Sequence, residues 1–520
     1  MLILITVLLL TLTALTLVLV RLVRPGFRYF WLIAVGGALL SLVSSWVWLI
    51  GLPVEFSLPP WQPLALFAES PSFRADGLAW VLAVSLASLA LAVLLTEVVR
   101  SELTDPLPWA GILTHTALGI FAVCANNPLT VMLVWSALDL VELATLLRAV
   151  DEPFASERAV VGFSTRLIGI GLVLWANFIS LASGSNLDFA SLPPSAGLLL
   201  LLAAGLRLGV LPLHLPFAPD SVSRRGVGTS LRLISAVSSL VLLARIAPGT
   251  AALPLVPLLL LFAGIAALYS AWIWLRAPDD ISGRPFWIIS LAALAVASSL
   301  RGNPVGAAAW GAVLTLAGGA LFLNSIQNIW LNRALLLAAF SLSGLPFSLA
   351  ASGLEGSLRG FFLTWPLLII AQALLIAGFV RHALRPGARE DSASQLPWTH
   401  NVFPAGIGLL LLTALLLGLF GWEGAFRFQA WLPALVTTIL AILLIWITPR
   451  LRILNPIRAH WVRPEGGRWR KAFSGGLWNL YHSSARLARL ISDALEGDGS
   501  LMWTLLFLAL FISMMLRGAP

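Results

Sequence analysis

Apolar runs of about 20 residues recur along the whole chain, separated by short polar breaks. An α-helix needs about that length to cross a ~30 Å hydrocarbon core. The pattern predicts spans near residues 2–20, 29–50, 77–97, 107–124, 129–147, 160–182, 195–213, 229–246, 253–275, 285–300, 305–324, 334–351, 361–380, 402–420, 430–447 and 501–516. The expected fold class is an all-α polytopic membrane protein of about sixteen transmembrane helices. The first run has no basic stretch before it and no small-residue cleavage pattern after it, so it reads as a retained span. From Arg463 to Asp498 the period changes. Trp478, Tyr481, Ala485, Ala488 and Ile491 share one helical face, with Arg486, Arg489 and Asp493 off it. Residues 463–498 are therefore expected to lie along the cytoplasmic interface as an amphipathic helix, before a last span within 501–520.

Two runs are interrupted by proline, GVLPLH at Pro212 and SGLPFS at Pro346. Proline removes a backbone donor and crowds the preceding turn, which a membrane tolerates only where protein or water re-satisfies the freed groups. The two breaks are five spans apart. That odd offset predicts two inverted five-helix repeats, spans four to eight (107–246) and nine to thirteen (253–381), with helices seven and twelve broken. N-terminal spans one to three (1–106) precede them and spans fourteen and fifteen (402–447) follow. Paired broken helices in inverted repeats point to an ion pathway; the competing reading is that proline is simply commoner in membrane helices.

Composition agrees with the pattern: 59% of residues are hydrophobic and 11% charged, with mean hydropathy +0.94. The formal charge of +9 sits between apolar runs, which suits topology signals and headgroup contacts rather than nucleic acid. Arg21, Arg24 and Arg28, then Arg224 and Arg225, then Arg381, Arg385 and Arg389 follow odd-numbered spans. The positive-inside rule then puts those span ends in the cytoplasm and both termini outside. Cys124 is the only cysteine, which excludes a disulfide framework and a multi-cysteine metal or iron–sulfur site. No cofactor and no metal are expected in this chain. Lys471 is the only lysine.

Several segments, in order, resemble one family. FRADGLAWVLAVSLASL (73–89) resembles its acidic-Gly-Leu opening of the third span, and CANNPLTVMLVW (124–135) the Asn-rich approach to its fifth. GLRLGVLPLHLPFAPDSV (205–222) is similar to its broken seventh span, RAPDDISGRPFWIIS (276–290) to the loop before its tenth, and SLSGLPFSLAASGLEG (341–356) to its broken twelfth. The family is that of the proton-conducting antiporter-like subunits of respiratory complex I, membrane-bound hydrogenases and Mrp cation/proton antiporters. The resemblance implies a non-catalytic membrane subunit of a redox-driven complex of NADH/quinone or hydrogenase type. Other membrane subunits, lipid, and protons or sodium ions are then its partners, and a prokaryotic cytoplasmic membrane its location.

The family's proton-carrying positions are changed. Ser136 follows Trp135 where the family has glutamate, and Arg207 stands at the seventh-span lysine. Leu233 or Ile234, beside Arg232, replaces the eighth-span Lys or His; Leu314 and Gly318 replace the eleventh-span His and Lys. Leu354, with Glu355 next to it, falls at the twelfth-span Lys or Glu. A buried lysine can release a proton near neutral pH because desolvation lowers its pKa, whereas arginine stays charged. The lysine relay cannot operate here as such.

The fifth span, VWSALDLVELATLLRAV (134–150), carries Asp139 and Glu142 on one helical face. Charges at that depth are costly and usually face the bundle interior. Asp139 lies one turn from the family's glutamate, and Arg207 is its expected partner. The couple reads either as a relocated station of the ion pathway or as a structural ion pair, with Glu142 near enough to its helix end to reach the surface. His115 reads as a titratable group or as a histidine bonded to a neighbouring helix. Asn324, Gln327 and Asn328 line a wet cavity or end the eleventh span; Glu97 and Arg100 make an interfacial pair. Three functions compete: an antiporter-like subunit with a weakly conducting or non-conducting relay, a scaffold of the same fold, and the membrane half of an inorganic-carbon or cation uptake system.

Overall fold

The computed structural model describes residues 2–59, 70–98, 106–149, 153–185, 188–189, 191–215, 225–246, 248–325, 329–356, 364–385 and 399–447. The amphipathic segment and the sixteenth span expected from the sequence lie outside these residues, as do Arg100, Gln327 and Asn328. The chain divides into a unit of residues 1–457, to which all described residues belong, and a second unit of 458–520.

Among the described residues fifteen α-helices follow one another. α1 (Leu2–Val23) and α2 (Phe30–Val47) lead to a short hairpin, β1 (Val54–Ser57) paired antiparallel with β2 (Ser72–Ala75). Then come α3 (Gly77–Glu97), α4 (Leu107–Cys124), α5 (Pro128–Ala149), α6 (Pro153–Ala182), α7 (Pro194–Arg207) and α8 (Arg225–Leu243). α9 (Val256–Arg276), α10 (Asp280–Leu300), α11 (Pro304–Leu323), α12 (Ile329–Ser341) and α13 (Thr364–Ala383) form a second series, and α14 (Thr399–Phe420) and α15 (Phe428–Ile447) follow it. Thirteen of the helices are long and apolar enough to cross a membrane; α7 and α12 are the shorter two. This is an all-α polytopic membrane protein.

Local chemistry sets the helix starts. Asp76, Asp279 and Asn303 each accept a bond from a backbone N–H three residues on, satisfying donors that the first turn leaves free. The helices run alternately between two ends. One carries β1–β2, where Asp76 also pairs with Arg245 at 3.4 Å; the other carries Arg225, paired with Asp280, and is called the basic end below.

α3, α8, α10 and α11 are buried over nearly their full length and form the core. α1, α6 and α15 show apolar side chains outward, including Leu12, Ile168 and Trp446. On α1 the Thr11, Thr13 and Thr16 hydroxyls bond back to carbonyls of their own helix, which removes polar groups from an apolar exterior. Packing recurs with an offset of five. α4 packs on α5 and α8, α6 on α5 and α7, and α7 on α8; likewise α9 packs on α10 and α13, α11 on α10 and α12, and α12 on α13.

Both proline sites lie in breaks, but the helices stop short of them. α7 ends at Arg207 and the chain turns at Gly209, whose φ of +74° glycine adopts without steric cost, before the cis Leu211–Pro212 bond. α12 ends at Ser341, five residues before Pro346, and non-helical turns continue to Gly356.

A buried ion-pair quartet as the candidate functional site

Breaking α7 at Arg207 leaves its last carbonyls without helical partners at a depth of about 20 Å from where the helix begins. A cation is favoured at a helix C-terminus, and the sequence supplies one there. Arg207 is buried and grips Asp139 of α5 with both terminal nitrogens, at 2.6 Å and 2.8 Å. Its Nε donates to Ser239 of α8 at 3.1 Å, and one terminal nitrogen also donates to the Arg166 carbonyl at 3.3 Å. The guanidinium stacks on the Trp135 ring, 4.2 Å from its centroid, while the Trp135 indole donates to the Ser238 carbonyl at 3.0 Å. Stacking plus a bidentate carboxylate uses the planar fork that lysine lacks.

One turn along α5, Glu142 meets a second cation. Arg166 of α6 donates to its carboxylate, as does the Ser235 hydroxyl of α8. The same Arg166 nitrogen lies 3.6 Å from Asp139. Two carboxylates and two guanidiniums thus form one neutral cluster, with no member more than 4% exposed. Glu142 does not reach the surface, contrary to the reading that its place near a helix end would allow it, because α6 and α8 close over it.

His115 of α4 joins from the side. Its Nε2 lies 3.3 Å from both the Leu231 carbonyl and the Ser235 hydroxyl. Asp139, Glu142, Arg166, His115 and Ser235 lie near the middle of their helices and Arg207 at the break that ends α7, so α4 to α8 share one polar belt at the centre of the bundle.

The other candidates lie elsewhere. Arg232 is buried on α8, on the same stripe as Ser235 and Ser239 but toward the basic end. Glu97 is buried at the basic end of α3, beside Gly226. Asn324 ends α11, where its side chain bonds Asn332 at 2.9 Å. Glu355 lies past the α12 break and pairs at 3.0 Å with the exposed Arg427, in the loop before α15. Among the described residues no cluster of three His, Cys, Asp or Glu side chains is placed to hold a metal ion.

Among the described residues, α9 to α13 show no such belt. At the matching depth α10 offers Leu291 and Leu294, and α11 Leu314, all buried. At Gly318 the space is filled: the Trp287 indole nitrogen stands 2.7 Å from where a Cβ would be. Near the α12 break the polar contact is neutral, Gln372 donating to the Leu342 carbonyl at 2.7 Å.

Sequence reasoning missed Arg166. The signal was available: an arginine within an apolar span is itself a mark of an interior or functional position. Ser235 and Ser239 carried no such mark, since serine is ordinary in membrane helices.

No family model matches the sequence, and no curated protein matches it. Solved structures do resemble it. A chain of the Mrp complex from Dietzia sp. DQ12-45-1b superposes with TM-score 0.71 at 17% identity, covering 100% of this chain and 63% of that one. A chain of the membrane-bound sulfane sulfur reductase, an archaeal respiratory membrane complex, gives 0.63 at 15% identity over 98% and 99% of the two chains. One from respiratory complex I of Thermus thermophilus gives 0.63 at 21% identity, over 85% and 100%. This chain shares its fold with membrane chains of these complexes. They include two of the kinds whose antiporter-like subunits the sequence motifs resemble, and this chain spans under two thirds of the Mrp chain.

Proposed function

We propose that this chain is the antiporter-like membrane subunit of a multisubunit, redox-driven, proton- or sodium-translocating complex, and that its own central relay is interrupted. The quartet then acts as an ion-pair station that sets the packing of α5, α6, α7 and α8. The two series of five helices are taken as inverted repeats, supported by the recurrent packing and the matched breaks. Partners are the other membrane subunits and lipid; the proposed location is a prokaryotic cytoplasmic membrane, with the basic end inside and both termini outside.

The observation that carries this reading is that the charges close on themselves. Each guanidinium of the quartet faces a carboxylate within it, and beyond Ser235 and Ser239 the matching positions of the second series are leucines and a tryptophan-filled gap. Moving a charge across such a stretch costs at least a few kcal/mol. The sulfane sulfur reductase and the Thermus thermophilus complex I are both respiratory complexes, which favours a redox-driven assembly.

The test compares reconstituted complexes carrying wild type, Asp139→Asn or Arg207→Ala. Less complex should assemble with either variant, while ion translocation per assembled complex is unchanged. A fully assembled variant complex that loses most of its translocation overturns the reading.

A further inference from the structure

The quartet has a titratable arm that an ion-pair role leaves unused. His115 is fully buried, and its Nδ1 makes no hydrogen bond to any described residue. Its Nε2 faces the Leu231 carbonyl, which can only accept, so the ring carries its proton on Nε2. Nε2–H then points to the Ser235 oxygen, and the Ser235 O–H points to Glu142. The donors are aligned in one direction, from imidazole through hydroxyl to carboxylate.

From this alignment we propose that His115 and Ser235 form a proton-delivery arm to Glu142, and that the quartet has a second state in which Glu142 is neutral and Arg166 pairs with Asp139. The transfer starts when a proton reaches His115 Nδ1. The Nε2 proton passes to the Ser235 oxygen as the Ser235 hydroxyl proton passes to the Glu142 carboxylate. Histidine ends neutral with its proton on Nδ1, serine is again a hydroxyl, and Glu142 is a carboxylic acid; no electrons move. Arg166, having lost its anion, has Asp139 already 3.6 Å away. Asp139 has lone pairs left after its two bonds to Arg207. The histidine tautomer left behind opposes a lone pair to the Leu231 carbonyl, so the arm resets when Glu142 returns its proton.

The groups that act on His115 come from several helices. α5 presents Asp139 and Glu142, α6 Arg166, α7 Arg207 and α8 Arg232, whereas α1 and α2 present no charged side chain at this depth and α3 carries only Glu97, at its basic end. The proposal concerns the quartet itself and holds whether or not the assembled complex translocates ions through this chain.

The test is time-resolved infrared spectroscopy of the purified full-length chain in lipid nanodiscs after a downward pH jump, in H2O and D2O. Wild type should develop the carbonyl band of a buried carboxylic acid, and Glu142→Gln should lack it. In Ser235→Ala and His115→Gln the band should reach the same final amplitude at saturating acid but form on the order of a hundredfold more slowly, the loss expected of a positioned proton donor. Ser235→Thr, which keeps the hydroxyl, should retain the wild-type rate and guards against a folding defect. A wild type without the band, a band that survives Glu142→Gln, or unchanged rates in both arm variants overturns the proposal.

Discussion

Gly169 of α6 lies directly against the stem of Arg207 on α7: a Cβ on this glycine would stand 2.7 Å from the arginine Cγ. The absent side chain lets the guanidinium reach across to Asp139. Gly169→Ala must push that stem aside or part the helices. The expected cost is about 1–3 kcal/mol, the usual range for overpacking a close contact, read as a lower thermal midpoint of the purified protein. Gly171, two residues on with nothing within 4 Å of its added Cβ, is the control that should tolerate alanine.

Arg166 is held by charge rather than by shape. Removing it alone, as Arg166→Ala, leaves the Glu142 carboxylate buried without a cation and should destabilise the chain by roughly 3–5 kcal/mol. Pairing Glu142→Gln with Arg166→Met removes both charges and should recover most of that loss. A double-mutant cycle on denaturation midpoints measures the difference; equal losses in the single and double variants would contradict the pairing.

How much of this was readable beforehand differs between fold and site. The fifteen helices of the described residues follow from runs whose length matches the membrane, a signal that needs no tertiary knowledge. The breaks were marked by Pro212 and Pro346, yet α7 and α12 stop at Arg207 and Ser341, because the turns that end them are set by Gly209 and by contacts from neighbouring helices. Asp139 and Arg207 stand out as charges in apolar runs. The Arg166–Glu142 contact needs the rotation of α6 against α5, and the Ser235 contact needs that of α8, which apolar helices do not reveal by period alone.

Restoring a basic residue at Gly318 should not restore a relay. The Trp287 indole already occupies that space, so Gly318→Lys displaces a buried tryptophan and should lower the yield of folded protein without raising ion flux in proteoliposomes. Flux above wild type would show that the second series conducts once charged.

Arg301 follows α10, outside the span, and burial pushes its guanidinium down to about 10. The folded state therefore disfavours the charged form, and a group whose folded value lies below its unfolded one costs stability wherever both states are protonated. That cost is complete below about 10 and fades as pH rises above it toward the ordinary arginine value. Arg301→Gln should raise the thermal midpoint at neutral pH, with the advantage narrowing above about 10. An advantage that grows with pH would reverse the sign.

The spacing of Asp139 and Glu142 also limits what the membrane potential can do to the quartet. Three residues of helix separate the two carboxylates by about 4.5 Å along the axis, roughly a seventh of a ~30 Å hydrocarbon layer. One elementary charge crossing the whole layer is worth about 2.3 kcal/mol per 100 mV. An arginine exchanged between the two carboxylates therefore feels only about 0.3 kcal/mol of it, which alters the balance by less than about twofold. That exchange is nearly blind to voltage, unlike the arrival of the proton that triggers it.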